Sequence, residues 1–241
     1  MFLTRTRMLF GSAAVDRLQK ARVLLFGLGG VGGSAAEALA RSGIGFLHLV
    51  DADTVEPSNL NRQLFAARST IGLPKTQAAK QRLQDVSDAR IETSDLFYLP
   101  ETADTIDFAG FDYVVDAIDT VAGKLAIAEQ ARAAGIPQIC CLGTGNRTDP
   151  SRLRIGDLYE TSGCPLARVM RRECRKRGID RLRVLYSTEE PRVPIPISAP
   201  EPGKRQPPAS CAFVPPAAGL LIASQVVRDL IAMEEEACQE S

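Results

Sequence analysis

The residues best suited to chemistry lie in the first half of the chain, in an order that follows the parts of a nucleotide. Gly27-Leu28-Gly29-Gly30-Val31-Gly32 is a glycine-rich turn. Glycines at 27, 29, 30 and 32 let the backbone turn sharply and approach a phosphate, while the start of a following helix offers unpaired N–H donors and a favourable dipole. Asp51 comes nineteen residues after Gly32. A strand-end carboxylate there accepts hydrogen bonds from ribose hydroxyls, whether the ribose belongs to NAD or to ATP. The turn and Asp51 together therefore specify a nucleotide without saying which.

The stretch Val50-Asp-Ala-Asp-Thr-Val-Glu-Pro-Ser-Asn-Leu-Asn-Arg-Gln63 narrows the choice. A dinucleotide carries two linking phosphates, met largely by backbone amides, whereas a triphosphate adds charge that calls for cationic and amide side chains. Asn59, Arg62, Gln63 and the later Lys75 supply them, with Asp53, Ser58 and Asn61 beside them. Arg62 can fork onto phosphate oxygens, and Lys75, after Leu73-Pro74, is placed as a point charge. Asp119, followed by Thr120, can hold Mg²⁺ against the same phosphates. Each residue alone has an ordinary explanation in a surface salt bridge or a turn. Their order favours ATP and disfavours NAD-dependent hydride transfer.

These residues need a scaffold, and the hydrophobic pattern provides one. Arg22–Phe26 is a short apolar strand before the turn, 34–42 an alanine-rich helix, and Phe46–Val50 a second strand ending at Asp51. This is the βαβ unit of a dinucleotide fold. A surface helix is expected over 75–84, strands over 90–95, 113–117 and 138–142, and a helix over 124–134 stopped by Gly135 and Pro137. Such alternation predicts an α/β, Rossmann-like, doubly wound and mostly parallel sheet with helices on both faces. Beyond Gly143 the expected elements are a strand at 153–158, a basic helix at 165–177, a strand at 183–187 and a closing helix at 213–232. The proline-rich segment 191–208 reads as an exposed, mobile loop.

Bulk properties set limits. At 241 residues with 45% hydrophobic and 24% charged residues, the chain is ordinary for one large globular domain. Its net charge of zero gives no global attraction for nucleic acid, so any such binding must be local. Six cysteines form no CxxC pair, which argues against structural zinc. Without a signal peptide at the N-terminus, reduced thiols in the cytoplasm are expected. The longest apolar stretch, 212–231, is interrupted by Pro215 and Pro216 and carries Arg228 and Asp229, a pattern for a packed helix and against a membrane span. The lone His48 lies in a strand and is expected to be packed.

From Arg5 to about Thr144 the chain resembles the ATP-dependent adenylating fold shared by ubiquitin-activating enzymes and their bacterial relatives in molybdopterin and thiamine synthesis. The resemblance implies that the glycine turn, Asp51, Asn59, Arg62, Gln63, Lys75 and Asp119 bind ATP and magnesium. It also implies that an N-terminal arginine reaches the ATP of a neighbouring subunit, with Arg5 the best match and Arg7 the alternative. A homodimer is then expected, its site completed in trans. Two solvated arginines on a terminal turn are the plainer alternative.

The remaining third extends the resemblance. Arg171-Arg-Glu-Cys-Arg-Lys-Arg-Gly-Ile179, Val184-Leu-Tyr-Ser-Thr-Glu-Glu-Pro191 and Phe213-Val-Pro-Pro-Ala-Ala-Gly219 are similar to tRNA threonylcarbamoyladenosine dehydratases. Some of these have a cysteine where this chain has Leu185 or Tyr186, so no role transfers for it. The family's chemistry is activation of a threonyl carboxylate by ATP, ring closure by an intramolecular nucleophile, and release of AMP. The division implied is an ATP-binding core over 5–144 and a substrate-binding extension over 145–241.

Between Arg168 and Arg183 eight Lys/Arg stand against Glu173 and Asp180. A tRNA could be held through Arg168, Arg171, Arg172, Arg175, Lys176 and Arg177, with strong salt sensitivity. A solvated helix face is the plain alternative. Cys174 lies among arginines that would lower a thiol pKa, but nothing marks a base or acceptor beside it, which favours an incidental cysteine. Two rival functions stay open: adenylation of a sulfur-carrier protein's C-terminal glycine, and a non-catalytic nucleotide-binding partner in sulfur relay, for instance of a cysteine desulfurase.

Overall fold

The structure is a computed structural model that describes residues 2–162, 164–196 and 208–239, with side chains described as far as Ala232. Most of the segment 191–208, expected to be an exposed loop, falls outside the described residues; within it, Val193 and Ile195 are exposed.

Among the described residues, seven strands form one sheet: β1 Arg22–Phe26, β2 Phe46–Val50, β3 Arg90–Ser94, β4 Tyr113–Asp116, β5 Gln138–Cys141, β6 Leu153–Asp157 and β7 Arg183–Ser187. Their order is β3-β2-β1-β4-β5-β7-β6. All neighbours run parallel except β6, which pairs antiparallel with β7 at the sheet edge. Alternate residues of the inner strands enter different cores, as a sheet covered on both sides requires. Val23 and Leu25 join one core with Leu47, Leu49 and Val115, while Leu24 and Phe26 join another with Val50 and Val114.

The first face is covered by α3 Gly30–Ser42, α4 Lys75–Gln84 and α7 Val214–Gln239. On the second lie α5 Val121–Ala133 and α6 Pro165–Lys176. The sheet is therefore doubly wound, with helices on both faces, as the alternating pattern predicts. The parallel core places a switch point between β1 and β4, whose connections leave to opposite faces. Ligands of such sheets bind in the crevice at the strands' carboxyl ends there.

Several boundaries differ from the sequence reading. Helix α3 begins within the glycine turn rather than at Ser34, because glycine backbone is already helical from Gly30. Helix α5 begins three residues before Lys124, since Thr120 is extended and the chain can enter a helix directly after it. Two short N-terminal helices, α1 Thr4–Phe10 and α2 Ser12–Leu18, replace the surface turn considered for the arginines there. The span Val214–Ala232 of α7 is long and apolar enough to cross a membrane by composition, yet half of it is buried in the protein. Val214, Ala218, Ile222 and Val226 enter the same core as α3. His48 is packed beside Phe111, with Nε2 2.8 Å from Ser94 Oγ, and burial lowers its pKa.

Candidate functional site

A crevice of about 300 Å³ opens at the switch point. Its floor is the glycine turn. Gly27 has φ +89°, and a Cβ there would lie 2.7 Å from the Ala117 carbonyl. Gly32 does not reach the crevice; a Cβ on it would lie 1.7 Å from the Gly27 carbonyl oxygen, so it closes the turn from beneath. Gly29 and Gly30 line the opening, where α3 starts with no side-chain cap on its first N–H groups.

Asp51 ends the second strand's apolar run and is tied down. Its Oδ2 accepts the Leu28 N–H at 2.6 Å and its Oδ1 the Asp53 N–H at 2.8 Å. Burial raises its pKa, opposed chiefly by Lys75, whose Nζ lies 3.9 Å away. The carboxylate thus holds the glycine turn as well as facing the crevice. Lys75 opens α4 and places its ammonium 2.6 Å from Asp53 Oδ2, so its charge is balanced within the chain. An arriving triphosphate would compete with Asp53 for it.

The polar run after β2 divides in two. Asn59, Arg62 and Gln63 line the crevice, whereas Ser58 and Asn61 do not. The turn Pro57–Asn59 directs Ser58 outward, where its hydroxyl donates to Glu56. Asn61 Nδ2 donates to the Ser210 carbonyl. Both instead brace Arg62, whose guanidinium donates to Ser58 O at 3.0 Å and Asn61 Oδ1 at 2.9 Å. Asp119 and Thr120 line the opposite wall, after β4. The Asp119 carboxylate is exposed and takes no hydrogen bond or ion pair from the described residues. A single free carboxylate on the wall of this crevice fits Mg²⁺, which usually takes one or two protein carboxylates plus phosphates and waters.

Leu96, Phe97 and Tyr98 complete the walls, a set the sequence reading missed. Their signal was an apolar triplet one residue beyond the end of β3. A second compartment of about 140 Å³ adjoins the first and shares Gly29, Gly30, Arg62 and Ala117 with it. Thr144, Gly145, Ser210 and Pro215 close its far side.

The remaining candidates lie outside the crevice. Arg5 is exposed on α1 and does not line it. Arg7 is committed to its own chain, 2.7 Å from Asp16 and 2.9 Å from Gln19. The basic residues of α6 form a surface: Arg168, Arg172, Arg175, Lys176 and Arg177 are exposed, and Arg175 lies over the Tyr159 ring. Arg171 instead turns in to donate to the Thr161 carbonyl at 2.8 Å. Glu173 anchors Arg172, Lys176 and Arg177, which hold its carboxyl down to about 2. Arg183 departs from the basic run and pairs with Asp229, because its strand carries it to α7. Cys174 is buried, and burial pushes its thiol up to about 11, the opposite of activation by neighbouring arginines.

Fold and crevice together define a nucleotide-binding domain of the doubly wound α/β class. The chain belongs to the ThiF family, whose model matches residues 3–240. It is 39% identical over 238 residues to the tRNA threonylcarbamoyladenosine dehydratase of Bacillus subtilis, covering 95% of this chain and 94% of that one. The E. coli enzyme of the same name, TcdA, superposes with a TM-score of 0.86 at 30% identity over 96% of this chain and 94% of that chain, in a complex with ATP. A complex of that protein with AMP superposes equally well. The molybdopterin-synthase adenylyltransferase of Salmonella typhimurium is 36% identical over 124 residues, 52% of this chain and 50% of its own.

Proposed function

We propose that this protein is an ATP-dependent tRNA threonylcarbamoyladenosine dehydratase. The observation that carries the substrate is the extent of the likeness. Similarity to the Bacillus subtilis dehydratase runs through 95% of the chain, whereas similarity to the Salmonella typhimurium molybdopterin-synthase adenylyltransferase covers 52%. A likeness of that first extent takes in part of the basic α6 or α7 at least, the regions that a tRNA-modifying enzyme would need beyond its nucleotide crevice.

In this reading ATP lies across the glycine turn, its ribose towards Asp51 and its base against Leu96–Tyr98. Arg62 and Lys75 offset charge on the phosphates, Asn59 and Gln63 hydrogen-bond to them, and Asp119 with Thr120 holds the Mg²⁺ side. Magnesium would supply charge neutralisation on the phosphates. The second compartment takes the threonyl carboxylate. A carboxylate oxygen attacks the α-phosphorus, forming an acyl-adenylate as the bond to pyrophosphate breaks. A nucleophile on the urea then attacks the acyl carbon, the bond to AMP breaks, and a proton is released. Net loss from the nucleoside is one water. No covalent cysteine enters this scheme; positioning and charge stabilisation carry it.

The α6 surface would contact tRNA phosphates, within a substrate-facing region over 145–241. Arg5 would reach the site of a partner in a homodimer, with the enzyme working in the cytoplasm. Incubation with ATP, Mg²⁺ and tRNA bearing the open modification should remove the mass of one water from the nucleoside and release AMP only when tRNA is present. AMP formation stimulated by a Gly-Gly-tailed carrier and indifferent to RNA would replace this reading with the sulfur-carrier one. ATP bound but never cleaved would point to a sulfur-relay partner without turnover.

A further inference from the structure

Below the crevice lies an ion pair that the scheme above leaves unused. Lys124, in the first turn of α5, is fully enclosed, with Nζ 2.9 Å from Asp116 Oδ1 and donating to the Cys141 carbonyl at 2.7 Å. Cys140 Sγ is 3.5 Å away. Removing an ammonium and a carboxylate from water is costly, and apolar side chains of similar size often serve a fold as well. Burial works against the Lys124 charge, but attraction to Asp116 outweighs it and keeps the lysine protonated. A charged tie so placed calls for a reason beyond filling space.

Its partners mark what it joins. Asp116 is the last residue of β4 and Cys141 the last of β5. The same Asp116 Oδ1 accepts the Ile118 N–H at 3.2 Å, which fixes the turn carrying Asp119 and Thr120 into the nucleotide crevice. Beyond Cys141 the chain runs to Thr144 and Gly145, which line the second compartment. The Lys124 amide closes the first turn of α5 onto the Thr120 carbonyl at 3.1 Å. One lysine therefore connects the wall of one compartment, the helix behind it and the strand that leads to the other.

We propose that Lys124 is a positioning residue that keeps the two compartments in register, so that the α-phosphate of the nucleotide and the carboxylate of the substrate meet at attack distance. The inference rests on the dehydratase reading given above. Reacting groups in an adenylating site must come within a few tenths of an ångström of their productive arrangement, and a displacement of about 1 Å costs on the order of 100-fold in rate. Nucleotide and tRNA affinity should depend on that register far less than the chemical step does, since only the step needs both compartments at once.

The test removes both charges together, so that neither is left buried alone, in an Asp116→Asn/Lys124→Met double variant; the new side-chain amide oxygen can still accept the Ile118 N–H. Thermal unfolding, ATP affinity and tRNA-dependent AMP formation are measured beside the parent enzyme. The expected result is a folded variant with ATP Kd and tRNA KM within about threefold of the parent and kcat lower by roughly 30- to 100-fold. A folded variant with kcat within about threefold of the parent would overturn the proposal. Loss of folding would also overturn it, because the pair would then be a stability element, and so would loss of ATP binding in step with kcat, because the pair would then shape the nucleotide site rather than the register. A parent that forms no tRNA-dependent AMP removes the dehydratase reading and this inference with it, whereas an active parent beside an equally active variant removes the inference alone.

Discussion

At the scale of single residues, the site depends on which charges are already satisfied. Asp51 is committed to two backbone N–H groups and Lys75 to Asp53, while Asp119 has no partner among the described residues. Removing Asp119 therefore costs the fold little but removes the carboxylate proposed to hold Mg²⁺. Asp119→Ala is expected to keep its thermal transition within a few degrees and to lose turnover by at least about 100-fold. Steady-state AMP formation at several Mg²⁺ concentrations checks this, and near-normal turnover would show the metal assignment to be wrong. That Asn59, Arg62, Gln63, Lys75 and Asp119 share one crevice was legible from residue type and order. The bracing of Arg62 by Ser58 and Asn61 was not, because a hydrogen bond between side chain and carbonyl depends on how one short turn is wound. The Asp116–Lys124 pair was hidden for a similar reason: it forms across a strand end and a helix turn, and only burial distinguishes it from a solvated pair.

At the scale of elements, alternating apolar runs with intervening helices dictated the parallel core. What they could not show was the place of β7 between β5 and β6, because the order of strands in a sheet is set by long connections rather than by local pattern. The N-terminal helices were missed since each is only 7 residues long and too short to display a periodic face. Helix α6 illustrates how an element filters a sequence reading. Of the basic run, its geometry turns Arg171 inward and leaves Arg168, Arg172, Arg175, Lys176 and Arg177 outward. Reversing the outward charges, in an Arg168→Glu/Arg172→Glu/Lys176→Glu variant, should raise the tRNA KM by tenfold or more, roughly, and flatten its dependence on salt. ATP affinity measured without tRNA should stay unchanged. Equal tRNA KM in variant and parent would return α6 to a solvated face.

At the scale of the whole molecule, α1 presents Met8 and Leu9 to solvent at 82% and 75% exposure, with Phe2 and Phe10 near them. Apolar residues grouped in this way mark a contact surface more often than an ordinary exterior. Arg5 stands on the same helix. If that helix enters a partner's site, each active centre needs residues of two chains. Mixing Arg5→Ala protein with Asp119→Ala protein should then restore activity that neither has alone, because a two-fold mixed dimer contains one unaltered site. Full activity of Arg5→Ala by itself, or no recovery on mixing, would rule out the shared centre. Sedimentation of the parent protein as a monomer at assay concentrations would do so as well.

The packing of α7 on α3 has a consequence for how the molecule comes into being. The glycine turn and Asp51 lie early in the chain, yet Pro215 stands against Gly30 and α7 supplies core residues from Val214 to Leu230. A ribosome makes those parts more than a hundred residues apart. Until α7 emerges, the apolar side of α3 is bare and the compartment that Pro215 closes has no wall. The nucleotide crevice is made of residues that emerge earlier, so the compartment beside it is completed only after α7 has been made.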